Sequence, residues 1–274
     1  MVKICLCVGL LILLWLCWGD RAVAGEWRGS HGTLRDRINQ YPNWLGKPPV
    51  QTAQGDLIYP DWMAGLWQVN SPLTDLVAPL SPEIVTPGFE GNRKYLNEPI
   101  YFRVRFIPQT PKIPVALNLT RPPLPLSTQA SPNIIADRAF NGWEIAKAYL
   151  GDRAVLAVHI DPDNPNRQIT QLRGERELIS TVTGRTTEHP SSQEFVTTEL
   201  TNQVFRTNSQ VYINDVETTT AYSLQPTGDI LATQITAIYL SPQDPNYFEA
   251  LGRPVALYRY DLHLEPLPTQ DAKQ

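Results

Sequence analysis

A mainly β domain, an antiparallel meander curled into a barrel with one short helix and long Pro-rich loops, is predicted from three observations. Runs rich in Val, Ile, Thr, Tyr and Phe, many of them with period-two alternation, follow one another from Ile100 to Glu265, separated by turn segments such as "DPDNPN", "RTNSQ" and "PTGD". Little helical periodicity intervenes, which favours hairpin connections over crossovers. Two runs, "QEFVTTELTNQVFRT" and "SQVYINDVETTTAYSLQP", exceed the usual strand length. Long antiparallel strands avoid bare edges by closing on themselves. About eight to ten strands give a barrel with room for side chains or one small ligand.

Taken in order, the chain opens "MVKICLCVGLLILLWLCWGDRAVAGEW", with Lys3 ahead of an apolar run from Ile4 to Trp18 and a small-x-small site at Ala22-Val23-Ala24. This is the pattern of a secretory signal peptide, residues 1–24. The alternative, an uncleaved anchor, has a run shorter than a committed membrane helix wants. A lipid-modified Cys17 is disfavoured by the bulk of Leu14, Trp15 and Leu16 before it. Residues 25–60 form a polar lead-in with one helix at "TLRDRINQY", where Leu34, Ile38 and Tyr41 share a face.

The single barrel domain is expected over residues 61–266, with its first strand in "DWMAGLWQVN". Between Ser71 and Glu98 the prolines at 72, 79, 82 and 87 stand too close for a central strand, yet Leu73, Leu76, Val77, Leu80, Ile84, Val85 and Phe89 are too apolar for disorder. A loop packed on the domain or over an opening is predicted. In "IYFRVRFIP", Ile100, Phe102, Val104 and Phe106 face inward, opposite a basic face of Arg103 and Arg105. After a Pro-rich connection, "RAFNGWEIAKAYLG" reads as a helix stopped at Gly151. Strands then continue to "VALYRYDLHLE", and residues 267–274 read as a disordered tail.

All three cysteines, Cys5, Cys7 and Cys17, lie in the leader. The mature chain therefore has no disulfide framework, thiolate metal site or cysteine nucleophile. The leader carries one net positive charge, so the formal −4 of the whole chain becomes about −5 after cleavage. That balance argues against nucleic acid as a partner.

In the last strand Ala256, Tyr258, Tyr260, Leu262 and Leu264 form one face, and Arg259, Asp261, His263 and Glu265 the other. Gly65, Trp67 and Arg259, placed in the first and last strands, resemble the closing elements of the calycins, the lipocalin-type barrels. The resemblance implies that the indole closes the barrel base under the guanidinium, a cation–π contact. A sandwich or half-open sheet, with Trp67 as ordinary core, is the alternative. The segments "GDLIYPDWMAGLWQV", "LVAPLSPEIVTPGFEGNRKYLNE", "ADRAFNGWEIAKAYLG" and "DPDNPNRQITQLRGERELISTVTGR" also resemble an uncharacterised family of exported proteins of cyanobacteria and chloroplasts. That resemblance implies a periplasmic or thylakoid-lumenal setting and a role near photosynthetic membranes.

Several groups of residues are candidates for function. Trp67, Phe102, Phe106, Tyr212, Tyr222, Tyr258 and Tyr260 supply aromatic bodies, the tyrosines with a hydroxyl, for lining a ligand cavity. Phe89, Glu90, Asn92 and Arg93 stand in a Gly-flanked loop suited to gating or docking. Asp161, Asp163, Asn164 and Asn166 alternate oxygens, but Pro165 occupies a ligand position, so a simple turn is expected and no metal site is assigned. His31, His159, His189 and His263 lack paired ligand spacing. Arg259, Asp261 and His263, with Glu217 or Asp215 on another strand, could be read as acid–base machinery, but alternate charges are what a solvent face looks like. No catalytic residue and no cofactor is assigned.

The expected function is an exported barrel that binds a small apolar or amphipathic molecule such as a lipid, pigment or quinone-like compound. Two alternatives stand beside it: an assembly factor docking a membrane-associated protein complex through residues 72–98, and a lumenal lipid- or carotenoid-modifying enzyme, which would need a carboxylate inside the barrel.

Overall fold

Every strand in the computed structural model, which describes residues 32–86, 88–110 and 132–268, joins one antiparallel sheet. Residues 1–31, which include the expected signal segment, the Pro-rich connection at 111–131 and the tail from 269 lie outside the described residues. The strands are β1 (Gln51–Thr52), β2 (Ile58–Tyr59), β3 (Gly65–Asn70), β4 (Leu73–Val77), β5 (Tyr101–Pro108), β6 (Ile134–Ala136), β7 (Val155–Ile160), β8 (Arg167–Leu172), β9 (Arg176–Ser191), β10 (Glu194–Arg206), β11 (Val211–Leu224), β12 (Ile230–Leu240) and β13 (Ala256–Leu267). Among the described residues three α-helices accompany them: α1 (Leu34–Asn39), α2 (Arg138–Leu150) and α3 (Tyr247–Ala250).

The meander from β7 to β13 is the backbone of the fold, each strand pairing with the next. β10 and β11 run in continuous register from Glu194↔Ser223 to Arg206↔Val211. β13 then returns to the start of the chain. Its second half pairs with β3 and its first half with β4, so residues 65–77 form one long neighbour bent at Ser71-Pro72. This corrects the expectation that Ser71–Glu98 is wholly irregular: the prolines flank a real strand rather than forbid it, because Pro72 stands at the bend, where a missing donor costs little. The rest of that stretch packs as predicted, with Leu80, Ile84 and Phe89 buried.

The sheet continues from β3 through β5 and β6 to β2. Among the described residues no pairing joins this end to β7, so the closed barrel is corrected to a curled half-barrel. Helix α2 spans the seam, packing on β5 to one side and on β7 and β8 to the other. Local chemistry explains why a helix can lie there. Asp137 caps it by accepting from the Phe140 amide at 3.1 Å. Asn141 accepts from the Arg105 N–H at 2.7 Å and donates to its carbonyl at 3.2 Å, satisfying the open edge of β5 as a strand would. Arg103 and Arg105 pair with Glu144 and Asp137 and flank the Phe140 ring. Gly142 permits the approach to β8, since a Cβ there would lie 2.7 Å from Gln168 Nε2.

Both sheet faces carry core. Inside the curl, Trp67, Val69, Val104, Phe106, Phe195, Ile230 and Leu264 pack together. Outside it, Val196, Ile235, Ala237 and Leu257 are covered by Leu34 and Ile38 of α1, which lies where the sequence predicts it, and by Trp44. The indole closure of the calycin resemblance does not form. Trp67 pairs with Pro266 while Arg259 pairs with Asp75, some 20–25 Å along the strand. Trp67 belongs to the inner core and donates to the Met63 carbonyl at 2.8 Å, whereas Arg259 stands on the outer face, 6.0 Å from the Tyr41 ring centroid. Gly65, at φ 127°, starts β3 with backbone that a side chain would strain.

Candidate functional site

The curl forms two adjoining open spaces beneath α2. The first, about 320 Å³, is mainly apolar, walled by Val69, Phe102, Val104, Phe106, Leu262 and Leu264. The second, about 500 Å³, lies on the β8–β10 side, where Arg138, Glu199, Gln168, Ser180 and Gln203 form a polar patch beside the apolar Leu150, Leu172 and Leu178. Tyr59, Ala136, Asn141, Ile145 and Tyr149 line both. Their sizes fall in the range of small-molecule sites.

The strand period puts four phenols at the first space. Tyr222 and Tyr260 project from β11 and β13, Tyr59 from β2 and Tyr149 from α2. Loss of water around each hydroxyl raises its pKa, to about 12 for Tyr222 and well above the ordinary value for Tyr59. All four therefore stay neutral at physiological pH, able to donate to or accept from a ligand's polar atom. None is poised as a phenolate base.

At the second space a carboxylate stands inside the sheet. Glu199 Oε1 accepts from Arg138 Nη2 at 3.0 Å and from Arg185 Nη2 at 2.7 Å and Nε at 3.1 Å. Arg185 is further tied to the Gly55 carbonyl and Asn166 Oδ1. The three side chains sum to one positive charge. The enzyme alternative asked for an interior carboxylate, and Glu199 is one, but two ion pairs hold it.

Of the sequence candidates for a lining, Phe102, Phe106, Tyr222 and Tyr260 meet at the first space, and Trp67, Tyr212 and Tyr258 do not. Tyr258 packs with Phe89, their ring centroids 5.9 Å apart, and its hydroxyl accepts from Asn92 Nδ2 at 3.1 Å. Phe89 is thus buried packing rather than an exposed docking residue, while Glu90 and Arg93 pair with each other at the surface. The same loop reaches the cavity wall through Tyr95, edge-on to Tyr149 at 6.3 Å.

His263 lies on the outer face, 3.1 Å from Asp229 and 3.7 Å from Glu265. Asp261 faces Arg259 at 3.6 Å. Glu217 and Asp215 do not join them: Glu217 binds Arg37 and Asp215 binds Lys47. Asp161 and Asn164 accept from the amides of Asp163 and Asn166, which makes the 161–166 segment a self-capped turn.

Sequence reasoning missed Arg138, Arg185 and Glu199. Period two does put Glu199 on one face with Phe195 and Thr197, but Val196, Thr198 and Leu200 on the other face are no less apolar, so the inner side is ambiguous. The model of a family described as a domain of unknown function, DUF6816, matches residues 51–268, from β1 to just past β13. No curated protein and no solved structure matches the chain.

Proposed function

Because the chain belongs to the DUF6816 family, whose function is unknown, its role has to be read from its own interior, and we propose that it takes up one small apolar or amphipathic molecule there. The observation that carries this reading is the pair of adjoining, mainly apolar spaces under α2, edged by neutral phenols and by the polar patch of Arg138 and Glu199. Export to a periplasm or thylakoid lumen, where such a protein would exchange lipid, pigment or quinone-like molecules with a membrane, is supported by the leader pattern. The curled antiparallel sheet around an interior supports a calycin-like relationship in architecture. Among the described residues no helix is long and apolar enough to cross a membrane.

Ile145 offers the direct test, because it lines both spaces and is already 37 % exposed. Ile145→Trp is expected to weaken binding of the neutral fluorophore N-phenyl-1-naphthylamine at least tenfold while moving Tm by only a few degrees. Unaltered binding in that variant, or no binding by the parent protein, would refute the reading.

A second reading, docking to a membrane-associated complex, is favoured by one surface feature. Leu45, Phe248 and Leu251 are 82, 81 and 76 % exposed. Gly46 lies against the Gly252 carbonyl, which brings the two segments bearing Leu45 and Leu251 side by side. Phe248→Glu combined with Leu251→Glu is expected to abolish copurification of a membrane complex from native cells without altering Tm or fluorophore binding. Retained copurification would remove this face from the account.

A further inference from the structure

We propose that the molecule held in the interior is an amphiphile with an oxyanion head, carboxylate or phosphate monoester, and that Arg138 receives that head. The inference rests on the cavity reading above and gives it a ligand class.

Three features of the second space carry it. First, the charge there does not cancel. Glu199 faces two guanidiniums, so the cluster keeps one positive charge on side chains only 11–21 % exposed, where an unbalanced cation favours an anionic partner. Second, the two arginines are not equivalent. Arg185 spends Nε, Nη1 and Nη2 on Glu199, Gly55 and Asn166 and is held as a fixed strut. Arg138 gives only Nη2 to Glu199; among the described residues its other donors have no protein acceptor, and its side chain, 18 % exposed, lines the space. A guanidinium has five N–H donors in a fork that matches an oxyanion in two-point contact. Third, a polar patch around Arg138 stands beside apolar wall, the pairing an amphiphile needs. Gln168, Ser180 and Gln203 stand in the same wall as Arg138, and the space connects past Tyr59 and Ile145 to the chamber walled by Phe102, Phe106, Leu262 and Leu264.

Arg138 also sits where a ligand could be sensed. It is the first residue of α2, the helix that spans the open seam, so a head held there ties the seam helix to β10 through Glu199.

The test compares heads on one chain length, below the micellar concentration of each probe: dodecanoate, dodecyl phosphate, dodecan-1-ol and dodecyltrimethylammonium, measured by displacement of N-phenyl-1-naphthylamine from the full mature protein. One or both oxyanions should bind 10- to 100-fold tighter than the alcohol, as charge-assisted bonds are stronger than neutral ones, and the cation should bind weakest. The ratio of dodecanoate to dodecyl phosphate separates a fatty-acid-like ligand from a phospholipid-like one. Arg138→Gln should remove the oxyanion advantage and leave the alcohol within about twofold, and Arg138→Lys should retain part of it. If Arg138→Gln fails to fold, the parent protein decides through its ranking of acid, alcohol and cation. Equal binding of acid and alcohol, or an advantage that survives Arg138→Gln, would overturn the assignment while leaving the cavity reading intact. Failure of all four probes to displace the fluorophore would overturn both.

Discussion

Arg37→Ala is expected to destabilise the protein by about 3–5 kcal/mol, because it strands a buried carboxylate. The Glu217 side chain is fully buried on the outer sheet face and accepts from Arg37 Nε at 2.6 Å and Nη2 at 2.7 Å. Tyr239 and Thr219 donate to it at 2.8 Å each. The hydroxyls alone cannot replace the opposite charge that Arg37 supplies to this buried carboxylate. The same guanidinium donates to the Gly46 carbonyl and lies 3.9 Å from the centroid of the Trp44 ring, whose N–H returns to the Arg37 carbonyl. Loss of Arg37 therefore loosens the whole lead-in that covers Val196, Ile235 and Ala237. For a domain of this size the Tm should fall by about 10 °C or more.

A double substitution separates a stranded charge from lost packing. Arg37→Met with Glu217→Met removes both charges and keeps apolar bulk, and it should cost less than Arg37→Ala alone. Thermal unfolding followed by circular dichroism and by Trp emission reads the comparison. A change of under about 1 kcal/mol for Arg37→Ala would mean that water reaches Glu217 and the clamp is a surface pair. Arg35–Glu194 and Lys47–Asp215, both partly exposed to solvent, should each contribute little by the same measure.

How far the sequence discloses this protein depends on whether a signal is local. Period two in "IYFRVRFIP" and "VALYRYDLHLE" identifies β5, β13 and their inner faces, because a strand's pleat is written in adjacent residues. The shared apolar face of Leu34, Ile38 and Tyr41 marks α1 for the same reason. Glu217 shows where local reading stops. In "INDVETTTAY" it alternates with apolar neighbours and reads as solvent-facing, yet a helix about 180 residues earlier covers it. The charged outer row of the last strand is read correctly as surface, but Arg259 cannot reach Trp67, since register along β13 is set by pairing with both β3 and β4. The interior arginines are hidden similarly. Arg138 opens a helix and Arg185 sits in "TGRTTEH", and only the curl brings both to Glu199.

Alkaline titration is expected to unfold the protein in one cooperative step between about pH 10 and 12 rather than ionise its tyrosines one by one. Eight of the eleven tyrosines, Tyr41, Tyr59, Tyr149, Tyr212, Tyr222, Tyr239, Tyr258 and Tyr260, have phenols raised above the ordinary value of 10.0, with loss of hydration the leading cause in each. Below pH 10 folded and unfolded chains both hold these protons, and the contribution to stability is complete. As pH rises past 10 the unfolded chain releases them first, so stability falls until the folded-state value is passed, about 12 for Tyr222. For Tyr222 alone those two pH units are worth about 3 kcal/mol, a large share of the 5–15 kcal/mol typical of a domain. With Tyr59, Tyr239 and Tyr260 shifted the same way, the native state should not survive to the top of that window. Tyrosinate absorbance near 295 nm and the β-sheet circular dichroism should therefore change together. A smooth rise in absorbance with the sheet signal intact would show that water already reaches the phenols, and that the interior under α2 is too wet to hold an apolar guest. A bound amphiphile should instead move the transition to higher pH, because it stabilises only the folded state in which those hydroxyls surround it.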